Sequence, residues 1–89
     1  MITRSVEIRN RLGLHARAAA KLVHTSSRYR SSVRIRKDEE EVDGKSILGI
    51  LLLAASNGTT IQLTVEGDDE VEASHAVEDL IARRFDEDE

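Results

Sequence analysis

Arg11-Leu12-Gly13-Leu14-His15-Ala16-Arg17 is where this chain changes its period. Before it, Ile2, Val6 and Ile8 alternate with Thr3, Ser5, Glu7 and Arg9, the period of two of a strand with one buried face. After it, from Ala16 on, Ala19, Ala20 and Val23 fall at helical spacing with Leu22 and Ser26 beside them, which predicts a helix to about Ser27. Gly13 breaks the first pattern, and His15 stands at the start of the second. A helix start presents backbone N–H groups without intrahelical partners, and the helix dipole adds to their preference for an anion. A phosphoryl group on His15 would be stabilised there, and the guanidinium fork of Arg17, two residues on, can reach its oxygens. His15 is read on these grounds as a phosphoryl acceptor and Arg17 as its stabiliser. A histidine before a helix is more often a plain cap or a surface residue, so the remainder of the chain has to tip the balance.

Working outward, Val33 and Ile35 alternate with Arg34 and Arg36, and the acidic turn Asp38 to Glu41 leads into a short second arm around Val42, a hairpin. Ser46 suits the cap of a helix carrying Ile47, Ile50, Leu51 and Ala54, which Asn57-Gly58 is expected to end. Ile61, Leu63 and Val65 alternate with Gln62, Thr64 and Glu66 as a further strand. Gly67 to Asp69 opens a last helix in which Asp69 and Glu72 have capping-box spacing and Ala73, Val77, Leu80 and Arg84 form the inner stripe. The order β-α-β-β-α-β-α predicts an α+β open-faced sandwich, a four-stranded antiparallel sheet covered on one face by three helices. Residues 1–89 are read as a single domain.

At 89 residues the chain buries about two thirds of its unfolded surface, enough for one core and no deep two-domain cleft. It has no cysteine, which excludes disulfides and thiolate metal or redox sites. The longest apolar stretch, Ile50 to Ala55, is too short to span a bilayer, and Arg4 interrupts any N-terminal apolar run, so a cytoplasmic protein is expected, without membrane insertion. The net charge of -4 conceals a dipole: Met1 to Lys37 holds ten Lys/Arg against one acid, Asp38 to Glu89 three against sixteen. His15 lies in the basic part, which suits a phosphoryl group and an acidic partner protein.

Three rival readings fail on composition or spacing. An RNA-binding sheet stacks bases on aromatics, whereas Tyr29 and Phe85 lie outside every predicted strand, so no nucleic-acid partner is expected even though Arg34 and Arg36 share a sheet face. His15, His24 and His75 lack metal-ligand spacing, so no metal or other cofactor is expected; His24 and His75 read as polar positions on helix surfaces. Gly44-Lys45-Ser46 is not a nucleotide-binding P-loop either, because Glu39 stands where that motif needs its first glycine.

Two motifs in this order, Gly13-Leu14-His15-Ala16-Arg17 and Gly44-Lys45-Ser46-Ile47-Leu48-Gly49, resemble the active-site and regulatory-serine signatures of the HPr family, the histidine-containing phosphocarriers of the sugar phosphotransferase system. The resemblance covers nearly the whole chain. It implies that His15 takes a phosphoryl group through Nδ1 from Enzyme I, itself charged by phosphoenolpyruvate, and passes it to a IIA domain, with Arg17 steadying the group. The chain would then be a monomeric carrier in a relay rather than a stand-alone enzyme. Ser46 would be the target of a dedicated kinase, and Ile47, Leu48 and Leu51 the docking patch beside the histidine. Of these, Ile47 or Leu48 is expected to be exposed, and Ile50 and Leu51 at least partly buried.

The sequence departs from that family in two places. Ala18 stands where most members have proline, leaving one more N–H near His15 and a less rigid helix start, with phosphorylation retained and phosphate lifetime altered. Leu12 replaces a small polar residue of the sugar branch, and with the ending Phe85-Asp86-Glu87-Asp88 it resembles the nitrogen-related, regulatory branch. The Gly-Lys-Ser segment resembles the sugar branch, so both branches stay open.

Overall fold

The computed structural model describes residues 1–87, so Asp88 of the acidic ending lies outside the described residues. Four strands, β1 (Ile2–Glu7), β2 (Ser32–Lys37), β3 (Glu40–Asp43) and β4 (Thr60–Glu66), alternate with three helices, α1 (Ala16–Ser27), α2 (Ile47–Leu53) and α3 (Glu70–Ala82). The strands form one antiparallel sheet in the order β1-β4-β2-β3. β4, whose Ile61, Leu63 and Val65 are buried, is paired on both sides, with Val65 opposite both Ile2 and Val33. Arg34, Arg36 and Gln62 stay exposed on the opposite face. One sheet face is therefore wet and the other carries the helices, as the strict alternation predicts. Each fully buried Ile or Leu contributes about 1.5–3 kcal/mol, so these strands fix register as well as core.

Helix boundaries and phases depart from the sequence reading at three points. In α1 the buried residues are Ala18, Ala19, Leu22 and Ser26, while Ala20 is exposed. The inward face is turned by about one residue because a run of alanines carries no large side chain to set its phase. α2 stops at Leu53, not at Asn57-Gly58. Ala54 takes the left-handed conformation (φ 51°, ψ 39°) and its N–H bonds to the Leu51 carbonyl. Asn57 instead donates to the Arg9 and Asn10 carbonyls at 3.0 and 3.1 Å, and the Gly58 N–H to that of Ile8, tying this turn to the end of β1.

At the start of α3 the expected capping box is replaced. Asp69 makes no side-chain cap; its carboxylate accepts from the Ser31 hydroxyl and from the backbone N–H groups of Arg30 and Ser31. Glu70 rather than Glu72 reaches back, accepting from the Gly67 N–H. The hydrogen bond from Ser31, then that from the Arg30 backbone, brings the Asp69 carboxyl down from 3.8 to about 2. Beyond Ala82, Arg84, Phe85 and Asp86 all have positive φ (58°, 56° and 61°). That turn throws Arg84 into solvent, and Phe85, fully buried in the same core as Ile81, takes the inward position that the stripe expected of Arg84.

Candidate functional site

The site is built where β1 runs into α1. Gly13 has φ +67°, and a Cβ there would lie 2.5 Å from the Ala55 carbonyl oxygen, so only glycine brings this loop so close to the segment after α2. Leu14, buried, donates its N–H to that same carbonyl at 2.8 Å. With Leu14 anchored on one side and α1 on the other, His15 has little freedom. It is the N-cap of α1 (φ -78°, ψ -179°), and its Nδ1 accepts from the Arg17 backbone N–H at 3.3 Å.

The ring's other nitrogen is held by a residue the sequence reading left unassigned. Nε2 lies 2.6 Å from Oε2 of Glu87, whose Oε1 accepts from Asn10 Nδ2 at 2.9 Å. Asn10 is fully buried and also donates to the Gly13 carbonyl at 2.8 Å, so one amide joins the tail to the glycine turn. Lys21, one turn along α1 from Arg17, donates to the Phe85 carbonyl at 2.6 Å. Burial pushes the Glu87 carboxyl up, but hydrogen bonds from Asn10 and His15, with the charges of His15 and Lys21, outweigh it and hold it below its ordinary value. Phe85, the chain's one phenylalanine, falls four residues after Ile81 and so prolongs the apolar stripe of α3; that was the available signal that the acidic ending is pinned and not a free tail.

Arg11, Leu12, His15, Ala16, Arg17 and Lys21 line one shallow depression with Asp86 and Glu87. Arg17 is exposed, and its guanidinium pairs with no carboxylate among the described residues. Ala18 is the third residue of α1, with its side chain fully buried. The histidine of this loop is thus open to solvent at the mouth and backed by helix N–H groups. An anion at Nδ1 would meet those donors in a depression that also holds the cations Arg11, Arg17 and Lys21.

Ser46 occupies the same topological place on α2. It is the N-cap (φ -113°, ψ 111°), and its Oγ accepts from the Gly49 N–H at 3.1 Å. Of the apolar residues assigned to docking, Ile47 and Leu48 are 45% and 64% exposed and Leu51 37%, while Ile50 is fully buried. Leu12 and Leu52, each 67% exposed, add to the exposed apolar surface beyond the expected patch; periodicity alone does not set Leu52 apart from its neighbours in an all-apolar run. His24 and His75 are exposed on α1 and α3.

Residues 2–83 match the family model described as the PTS HPr component phosphorylation site. The chain is 48% identical over 89 residues to the phosphocarrier protein HPr of Neisseria meningitidis, covering all of both chains. Against the phosphocarrier protein HPr of Pseudomonas aeruginosa it is 51% identical over 85 residues, 94% of each. The crystal structure of HPr-C-His from Thermoanaerobacter tengcongensis superposes with a TM-score of 0.96 at 45% identity, covering all of both chains. Whole-length likeness in sequence and in backbone, with the histidine loop and the serine cap each at a helix start, places this chain in the HPr family of phosphotransferase-system phosphocarriers.

Proposed function

We propose that His15 accepts a phosphoryl group from Enzyme I, itself charged by phosphoenolpyruvate, and passes it to a IIA domain in sugar uptake, regulation, or both. The observation that carries this is Nδ1 of His15 at the N-terminus of α1, accepting from the Arg17 N–H in an open depression that also holds Arg17 and Lys21. Transfer between two histidines runs through a loose transition state, which asks for alignment and charge stabilisation more than for a deep cleft. Arg17, unpaired by any carboxylate among the described residues, steadies the phosphoryl oxygens. The carrier acts as a monomer in this reading.

Ile47, Leu48 and Leu51 serve as the docking patch, extended by Leu12 and Leu52. Ser46 combines its cap with a regulatory role: a dianion on Oγ would suit the helix start and oppose apolar docking beside it.

The test is mass spectrometry after incubation with phosphoenolpyruvate, magnesium and Enzyme I. One acid-labile phosphoryl group, absent from His15→Ala, is the expected result. No label from an Enzyme I shown to be active would leave binding-based regulation as the better reading.

A further inference from the structure

Glu87 stands 72 residues from His15 in sequence, yet it closes on the ring with a shorter contact than any helix N–H does. The Arg17 N–H points at Nδ1, which therefore carries the ring's lone pair, and the hydrogen sits on Nε2, facing Glu87. The carboxylate is itself fixed: Asn10 holds its other oxygen, and Phe85 and Lys21 hold the backbone just before it.

We infer that Glu87 is the positioning residue of the transfer: it locks the His15 ring as the Nε2–H tautomer and stabilises the charge that the ring acquires when Nδ1 takes a phosphoryl group. This rests on the carrier reading above. In the forward step the Nδ1 lone pair forms the new N–P bond while the P–N bond of the donor phosphohistidine breaks, its nitrogen keeping that electron pair. No proton moves during the exchange, so the His15 ring, still bearing hydrogen on Nε2, gains one positive charge against Oε2 of Glu87. In the reverse sense, loss of the phosphoryl group to an acceptor discharges the ring. A carboxylate behind an imidazole thus plays the same orienting and charge-stabilising part as the acid of a hydrolase triad, with phosphorus as the electrophile.

Glu87→Gln keeps the shape and removes the charge, and its amide can donate to a bare Nε2, so it permits the opposite tautomer. Glu87→Ala removes the contact altogether. The tautomer is read by nitrogen NMR of the histidine ring in the unphosphorylated protein, and the rate by labelling from Enzyme I. Expected are a ring in the Nε2–H form in the unaltered protein, a shift toward Nδ1–H in Glu87→Gln, and about a tenfold slower labelling in both variants, of the order seen when outer-shell partners of a ligating histidine are removed. Unchanged thermal unfolding would exclude a merely structural cause. Tautomer and rate equal to those of the unaltered protein in both variants would overturn the inference and leave the carrier reading intact. Failure of the unaltered protein to take label would overturn the carrier reading, while the tautomer measurement would still decide whether Glu87 sets the ring.

Discussion

α1 and α2 both begin with a side chain that accepts a hydrogen bond from the first turn, and the two caps differ in what stands behind them. Ser46 Oγ takes the Gly49 N–H at 3.1 Å, an ordinary cap with one partner. His15 Nδ1 takes the Arg17 N–H at 3.3 Å, and its far nitrogen is gripped by Glu87 at 2.6 Å. A cap needs one acceptor, so the second grip on His15 has no part in starting the helix. The phosphoryl transfer proposed for the ring gives it a purpose. A helix start alone is a weak sign of chemistry; one whose capping side chain is fixed from both ends is a strong one.

Removing each cap in turn breaks the comparison most sharply. His15→Ala is expected to abolish acid-labile labelling completely, whereas Ser46→Ala should take label as the unaltered protein does. Each should cost only about 1 kcal/mol in urea unfolding, the usual worth of a cap. Loss of label in Ser46→Ala would remove the distinction. Phe85→Ala reaches the difference from behind: it should cost about 3–5 kcal/mol and, by freeing Glu87, also slow labelling in the fraction still folded. Ala18→Pro is a smaller perturbation. The N–H lost belongs to the first turn of α1, where intrahelical partners are lacking, so stability should rise by no more than about 1 kcal/mol.

The third helix start supplies the last and smallest test, because Asp69 spends its carboxylate on the loop before β2 and not on its own helix. Its carboxyl is depressed from 3.8 to about 2, chiefly by the Ser31 hydroxyl and the Arg30 N–H. A depressed acid contributes stability that is full above the unfolded value and is lost as pH falls through the folded one. Unfolding midpoints should therefore drop between pH about 4 and about 2, and the drop over that window should be shallower in Asp69→Asn.

The strands were legible because alternation is a direct image of a sheet with one wet face: Val33, Ile35, Ile61, Leu63 and Val65 all lie buried. His15 and Arg17 were placed at a helix start because Gly13 and the change of period mark it. What stayed hidden was set by contacts distant in sequence. Asp69 looked like a cap until Ser31 was found against it, 38 residues away. Ala54, with no feature that marks a stop, leaves α2 in a left-handed conformation, a choice that tertiary packing makes. Glu87 reads as one more charge in an acidic tail: the spacing of Phe85 hints that the tail is pinned, but the partners that hold Glu87, Asn10 and His15, lie 77 and 72 residues away.

The link between Asn10, His15 and Glu87 also has a consequence for synthesis. β1 finds its partner β4 only after some sixty further residues are made, Ile2 lying opposite Val65, and the grip on His15 comes later still. A nascent chain on the ribosome carries the histidine within its first seconds, at elongation rates of about 5–20 residues per second. The ring is set only when the last turn has been translated, so the finished site is a record that the message was read through to residue 87.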